Sequence, residues 1–117
     1  MEIGVDIEEI SRFEGKTMGT DSHFLNKIFT PRELDYCFSQ GVPAQHLAAR
    51  FCAKEAVIKA LNNIIDEIIP CNGIEVLNRK DGSPYINLLK PIIDVDIKIS
   101  LSHTKNEAIA FAVVCKI

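Results

Sequence analysis

The sequence predicts an α+β fold, an antiparallel sheet with a long central helix and shorter helices. Residues 2–7 alternate, with Ile3, Val5 and Ile7 pointing one way and Glu2, Gly4 and Asp6 the other, which is the period of a short strand with one buried face. From about Ala44 to Asn62 the apolar residues Leu47, Phe51, Ile58 and Leu61 keep helical spacing. After Pro70 the pattern turns to strands, so strand, helices and antiparallel strands follow one another in blocks.

The elements follow in order. Beyond the first strand, Glu8 to about Lys16 is weakly helical, and Gly15 and Gly19 then loosen the chain. Asp21 or Ser22 is placed to cap a short helix carrying Phe24, Leu25 and Ile28. Thr30-Pro31-Arg32-Glu33 is a helix start: a threonine cap, proline at the first helical position and glutamate three residues on. Gly41 and Pro43 end that helix, and the long one follows, with a possible continuation to Ile68. Ile74–Leu77 and Tyr85–Leu89 flank Asp81-Gly82-Ser83-Pro84, which reads as a hairpin turn. Val95–Leu101 and Ala108–Val114 make a second pair around Thr104-Lys105-Asn106. The alternating alanines of the last strand call for something packed closely on one of its faces.

All 117 residues are expected to form one domain with one real core. With 47% hydrophobic and 25% charged residues, the composition is that of an ordinary soluble globular protein. The longest apolar runs are broken by Asp66, Glu67, Asp94 and Asp96, so no membrane span is expected. The opening Met-Glu-Ile-Gly-Val-Asp lacks a basic stretch and is read as structure, not as a signal peptide. Cys37, Cys52, Cys71 and Cys115 include no CxxC pair. They are expected to be reduced, mostly buried thiols of a cytoplasmic protein, not a zinc or disulfide framework. The net charge of −3 argues against general nucleic-acid binding.

Four segments hold the residues that could do chemistry. Asp6, within Gly4-Val5-Asp6-Ile7-Glu8, taken alone is more readily a solvated carboxylate on an edge strand. In Arg50-Phe51-Cys52-Ala53-Lys54-Glu55-Ala56-Val57-Ile58-Lys59-Ala60, Arg50 and Lys54 lie four apart, as do Glu55 and Lys59. Such pairs are often surface salt bridges. Here small and apolar residues surround them, so the helix is packed on more than one side, and charges in such a place need a partner or a ligand. Asp81-Gly82-Ser83-Pro84-Tyr85 is by itself only a turn, and His103 at the end of Ser100-Leu101-Ser102-His103 is by itself an ordinary strand-end histidine.

Taken together and in this order, these segments resemble the holo-acyl-carrier-protein synthases, the small class of 4′-phosphopantetheinyl transferases. The likeness covers nearly the whole chain: Gly4-x-Asp6 with Arg12 downstream, Phe29-Thr30-x-x-Glu33-Leu34, Arg50-Phe51-x-x-Lys54-Glu55-Ala56 with Lys59-Ala60, Asp81-Gly82-x-Pro84-Tyr85, and Ser100-Leu101-Ser102-His103. It implies a half-unit of the phosphopantetheinyl transferase fold. It also implies transfer of 4′-phosphopantetheine from coenzyme A to a serine of apo acyl carrier protein, with adenosine 3′,5′-bisphosphate leaving.

The resemblance assigns the parts. Asp6 and Glu55 would hold Mg²⁺, with Lys59 beside them in the catalytic set. Arg50, Lys54 and Lys59 would carry the remaining phosphate charge, with His103 near the 3′-phosphate or pyrophosphate. Gly82 and Pro84 would line the adenine. The general base stays open between Glu55, a metal-bound water and a carboxylate acting through water. An acidic carrier protein requires a locally basic docking surface, for which Arg12 is the first candidate, with Lys16 and Lys27 behind it and Phe13, Met18 and Phe24 as apolar contacts. Larger transferases of the superfamily contain two such halves, so a single half implies a homotrimer with sites between subunits.

The chain departs from the family in three places. No glycine break follows Lys59-Ala60, where the sequence reads Leu61-Asn62-Asn63. Cys52 stands where a small residue is usual and adds an oxidisable thiol, and Arg12 lies in a less basic segment. Two other readings stay open: a non-catalytic coenzyme A or carrier-protein binding module, and a plain structural domain.

Overall fold

The computed structural model describes residues 1–92 and 94–117. Strand β1 (Glu2–Glu9) leads through a single 3₁₀ turn, Ile10–Phe13, to helices α1 (Met18–Ile28), α2 (Pro31–Phe38) and α3 (Pro43–Leu61). A second 3₁₀ turn, Cys71–Gly73, opens strand β2 (Ile74–Asn78), followed by β3 (Pro84–Leu88), β4 (Val95–His103) and β5 (Glu107–Lys116). β1, β5 and β4 form an antiparallel sheet in that order, and β2 and β3 form a separate hairpin. Among the described residues no helix is long and apolar enough to cross a membrane.

The α+β expectation holds, with α3 as the axis. Its small residues Ala48, Cys52, Ala53, Ala56 and Ala60 are fully buried, and they let the helix lie close on the three-stranded sheet. The last strand's alternation has the same cause: Ala108, Ala110 and Ala112 are fully buried and pair with Glu8, Asp6 and Gly4 of β1. The alanine face is therefore covered by this chain's own helix.

This reverses the expected orientation of β1. The face carrying Gly4, Asp6 and Glu8 turns inward, while Ile3, Val5 and Ile7 are 59%, 51% and 56% exposed. The cause is contact distance. A β-carbon on Gly4 would stand 1.9 Å from the Ala56 carbonyl oxygen, so only the glycine face can approach α3. The apolar face joins Ile109 and Phe111 of β5 as an outward patch, with Val5 opposite Phe111 and Ile7 opposite Ile109.

Three boundaries differ from expectation. The first helix is capped by Thr17, whose side chain accepts from the Thr20 amide. Asp21 lies inside it and contributes from there, its carboxylate accepting from the Thr17 amide at 2.9 Å. α3 stops at Leu61 instead of running to Ile68, with the Asn62 amide closing the last turn on the Ile58 carbonyl. The weakly helical stretch after Glu8 is only the one 3₁₀ turn, because β1 continues through Glu9. The α2 start is as the sequence predicts, a complete capping box with Pro31 at its head.

Candidate functional site

Close approach of β1 to α3 builds the first group of residues. Lys59 Nζ reaches across to Asp6 Oδ1 at 3.1 Å and to the Val5 carbonyl at 2.9 Å. Glu55 lies one helical turn before Lys59, on the same side of α3, and the charges of Asp6, Glu55 and Lys59 all act on the Glu8 carboxyl, which groups the three around it. Asp6 Oδ2 is buried and has no hydrogen-bond partner. A buried carboxylate oxygen without a donor is costly, and a bound cation is one of the few things that would satisfy it. Among the described residues no group of three or more His, Cys, Asp or Glu side chains is gathered as a metal cage. The donor set is a pair of carboxylates, which suits Mg²⁺, an ion that takes one or two carboxylates and completes its octahedron with phosphate oxygens and water.

Two thiols donate into this cluster. Cys52 Sγ donates to the Asp6 carbonyl at 2.9 Å, and Cys71 Sγ donates to Glu55 Oε1 at 3.4 Å. Burial, then the charge of Asp6, pushes the Cys52 thiol up to about 12. Burial, then Glu55, pushes Cys71 up to about 11. Both are therefore protonated donors at neutral pH, not nucleophiles. The oxidisable thiol expected at Cys52 is fully buried and inert for the same reason.

Glu8, to which the sequence assigns no role of its own, shares the inward face of β1 with Asp6. Burial raises its carboxyl, as do Asp6 and Glu55, while Arg12 and Lys59 pull it down. The signal was available: Glu8 is two residues from Asp6 on a strand, hence on the same face. Arg12 Nη1 donates to Glu8 Oε1 at 3.1 Å and its guanidinium lies 4.9 Å from the centre of the Phe51 ring. Arg12 is thus half-exposed but held. Lys16 sits over the Phe24 ring and Met18 is exposed. Phe13 is not available to a partner: it is 1% exposed, at the centre of an aromatic cluster with Phe24, Phe29 and Phe51.

The second group gathers near the N-terminal half of α3. Arg50 is buried, stacks over Tyr36 at 4.1 Å and donates to Asn78 Oδ1. Its Nε is buried without a partner. Asn78 Nδ2 in turn donates to the Gly82 carbonyl at 2.9 Å, which ties the hairpin turn to Arg50. Gly82 adopts φ 90°, a conformation that favours glycine, and Pro84 starts β3 directly after the turn. His103 Nε2 lies 2.8 Å from Gln45 Nε2, within hydrogen-bond distance. A cavity of about 310 Å³ is lined by Arg32, Tyr36, Arg50, Asn78 and Tyr85. A second, of about 180 Å³, shares Tyr36 and Asn78 and adds Gln45, His46 and His103. Gln45, Tyr36 and Asn78 carry no sequence signal of their own; only the fold brings them here.

Neither of these cavities is lined by Asp6, Glu55 or Lys59, although Arg50 and Glu55 are only five residues apart, roughly 7.5 Å of helix.

Lys54 does not join either group. Its side chain is 0% exposed and its ammonium donates to Glu33 Oε1 at 2.6 Å, the Ile74 carbonyl at 2.6 Å and the Cys71 carbonyl at 3.0 Å. Three acceptors use all three protons, leaving none for a phosphate. Burial lowers its pKa, and Glu33 opposes that shift. Glu33 is equally satisfied, accepting from the Thr30 and Val76 amides. The sequence pattern placed Lys54 beside Arg50 on the helix, but that side of α3 is roofed by α2 and β2.

Comparison with known proteins identifies the family. Residues 2–113 match the family model of the 4′-phosphopantetheinyl transferase superfamily. A holo-[acyl-carrier-protein] synthase of Chlorobaculum parvum is 41% identical over 114 residues, covering 97% of each chain. One from Thermodesulfovibrio yellowstonii is 45% identical over 112 residues, covering 96% of each. Among solved structures, the Helicobacter pylori holo-[acyl-carrier-protein] synthase in complex with coenzyme A superposes with a TM-score of 0.81 at 30% identity, over 97% of this chain and 99% of that one. The Bacillus anthracis synthase in complex with CoA (3′,5′-ADP) gives 0.79 at 30% identity, over 97% and 94%. Likeness of this extent in both sequence and fold makes the chain a member of the holo-acyl-carrier-protein synthases, within the 4′-phosphopantetheinyl transferase superfamily.

Proposed function

We propose that this protein transfers 4′-phosphopantetheine from coenzyme A to a serine of apo acyl carrier protein, releasing adenosine 3′,5′-bisphosphate, with Mg²⁺ as its metal. The observation that carries the metal-dependent reading is the Asp6–Lys59–Glu55 cluster, in which a buried carboxylate oxygen of Asp6 has no partner. The serine hydroxyl gives its proton to a general base, and its oxygen forms a bond to the β-phosphorus of coenzyme A as the bond to the bisphosphate leaving group breaks. Asp6 and Glu55 would hold the metal, which when bound supplies neutralisation and alignment of the pyrophosphate. Lys59 keeps Asp6 in place and adds a positive charge next to the same anion. Arg50, with an Nε that has no partner, is suited to a phosphate oxygen. His103 stands at the edge of the second cavity, and the Gly82–Pro84 turn forms a wall for the adenine.

That neither cavity is lined by Asp6, Glu55 or Lys59 supports sites completed between subunits. A homotrimer would also cover Ile3, Val5, Ile7, Ile109 and Phe111, all 41% exposed or more. An apolar face of this kind is unusual on a free monomer surface. Arg12 would meet the acidic carrier protein. Four free thiols fit a reducing cytoplasm.

The test is the intact mass of apo acyl carrier protein after incubation with the enzyme, coenzyme A and Mg²⁺. A gain of one phosphopantetheine, abolished by chelator, is expected. Coenzyme A binding without mass gain on any of several carriers would replace the transferase reading with a binding module.

A further inference from the structure

We infer that Cys71 is a positioning residue, its thiol holding the Glu55 carboxylate in the orientation that the Asp6 side of the cluster requires. This role rests on the reading of Asp6 and Glu55 as the metal-holding pair. The two carboxylates are held in parallel ways. Asp6 has Oδ1 engaged by Lys59 at 3.1 Å and Oδ2 without a partner. Glu55 has Oε1 engaged by Cys71 at 3.4 Å, and among the described residues no side chain donates to Oε2. Each carboxylate thus has one oxygen tied to a donor and the other left for a cation. A glutamate has three rotatable side-chain bonds, and without a donor it would sample several rotamers. Ligands to a metal are ordinarily oriented by such outer partners.

What makes the thiol a reliable donor is the way its backbone is held. Cys71 opens the 3₁₀ turn before β2, well outside α3 in sequence. The buried Lys54 ammonium grips the carbonyls of Cys71, the first residue of that turn, and Ile74, the residue after it, and Glu33 anchors Lys54. Asn72 Nδ2 donates to the Asn26 carbonyl at 3.3 Å, tying the same turn to α1. Lys54 and Glu55 are neighbours on α3, so one helix turn supplies both the anchor for the loop and the carboxylate the loop orients. Lys54 therefore acts on the site through Cys71, without touching a ligand. The weak, long-reaching S–H bond spans a gap that a hydroxyl, on a shorter bond, would bridge less well.

Mn²⁺ is the probe, with coenzyme A present and no carrier protein, so that no turnover occurs and free Mn²⁺ is read by electron paramagnetic resonance. Cys71→Ala is expected to weaken Mn²⁺ half-saturation about 3- to 10-fold, Cys71→Ser to recover part of it, and Glu55→Ala to weaken it most. Melting temperatures of the Cys71 variants should stay near wild type, since the residue is only half-buried. In turnover, Cys71→Ala should raise the Mg²⁺ half-saturation while kcat at saturating Mg²⁺ is retained. Wild-type Mn²⁺ binding by Cys71→Ala, alongside clear loss in Glu55→Ala, would overturn the role of Cys71 and leave the site reading intact. Wild-type binding by Glu55→Ala would overturn the site reading and the role of Cys71 with it.

Discussion

Gly4 and Ala56 are in such close contact that a β-carbon on Gly4 would lie 1.9 Å from the Ala56 carbonyl oxygen. Backbone, not a flexible side chain, blocks the space, so β1 or α3 must move to admit even a methyl group. Gly4→Ala should therefore push Asp6 away from Lys59 as well as strain the core. The expected cost is about 1–3 kcal/mol of stability, read from urea unfolding, together with loss of most transferase activity. A stable, fully active Gly4→Ala protein would mean that the strand–helix contact does not set the site.

Lys54 and Lys59 should differ in what they cost most, Lys54 stability and Lys59 chemistry. Lys54→Met leaves Glu33 charged and buried without its partner, and should cost about 3–5 kcal/mol. Adding Glu33→Gln to the Lys54→Met variant should recover part of that loss. Lys59→Met removes a half-exposed ammonium and should leave the unfolding midpoint nearly unchanged while activity falls by 10-fold or more, on the order expected for loss of a group that stabilises transition-state charge. Circular dichroism melts paired with carrier modification rates check both.

Glu75 gives the pH dependence its sign. Burial by itself would raise its carboxyl, but the Thr30 hydroxyl at 2.6 Å, Asn87 at 3.1 Å and Arg32 outweigh that and hold it below its usual 4.5. The unfolded chain therefore binds this proton first as pH falls below 4.5. The stabilisation is fully present above that value and is lost as pH drops through the lower, folded-state value. Glu75→Gln should make the fall in unfolding free energy below pH 4.5 shallower than in wild type. An unchanged acid limb would remove Glu75 from the account of acid stability.

Phe111 lies opposite Val5 on the outward apolar face. Phe111→Glu places a charge in the middle of that patch without touching the alanine face beneath. Light scattering on an eluting column should show a trimer for wild type and a smaller species for the variant, with activity falling in parallel. Wild-type oligomer mass and activity in Phe111→Glu would exclude this face as the subunit contact.

Arg12 is held by Glu8 and Phe51 but remains half-exposed. Arg12→Ala should raise the KM for an acidic carrier protein about 3- to 30-fold, on the scale of one interfacial charge, and leave the KM for coenzyme A unchanged. The difference between wild type and variant should shrink at high salt. An equal rise in both KM values would place Arg12 at the coenzyme site instead.

Much of this organisation is legible in the sequence because some signals are local. Thr30, Pro31 and Glu33 specify a helix start within four residues, and Glu55 and Lys59 are neighbours on any helix that contains them. Other features depend on what packs where. Period-two alternation says that Ile3, Val5 and Ile7 share a face, but not that the glycine side is the one a helix can approach. The spacing of Lys54 from Arg50 does not reveal that α2 and β2 roof that side of α3. Asn78 and Gln45 become site residues only through contacts with Arg50 and His103, 28 and 58 positions away.

The most direct measurement is the carrier-protein mass gain under single-turnover conditions with Asp6→Asn and Glu55→Gln, each shown to be folded and to keep the wild-type oligomeric state. These changes keep side-chain shape and remove one carboxylate charge at a time. The account predicts that wild type adds one phosphopantetheine in the presence of Mg²⁺ and that each variant loses nearly all of that rate. Folded variants that modify the carrier at the wild-type rate would contradict it.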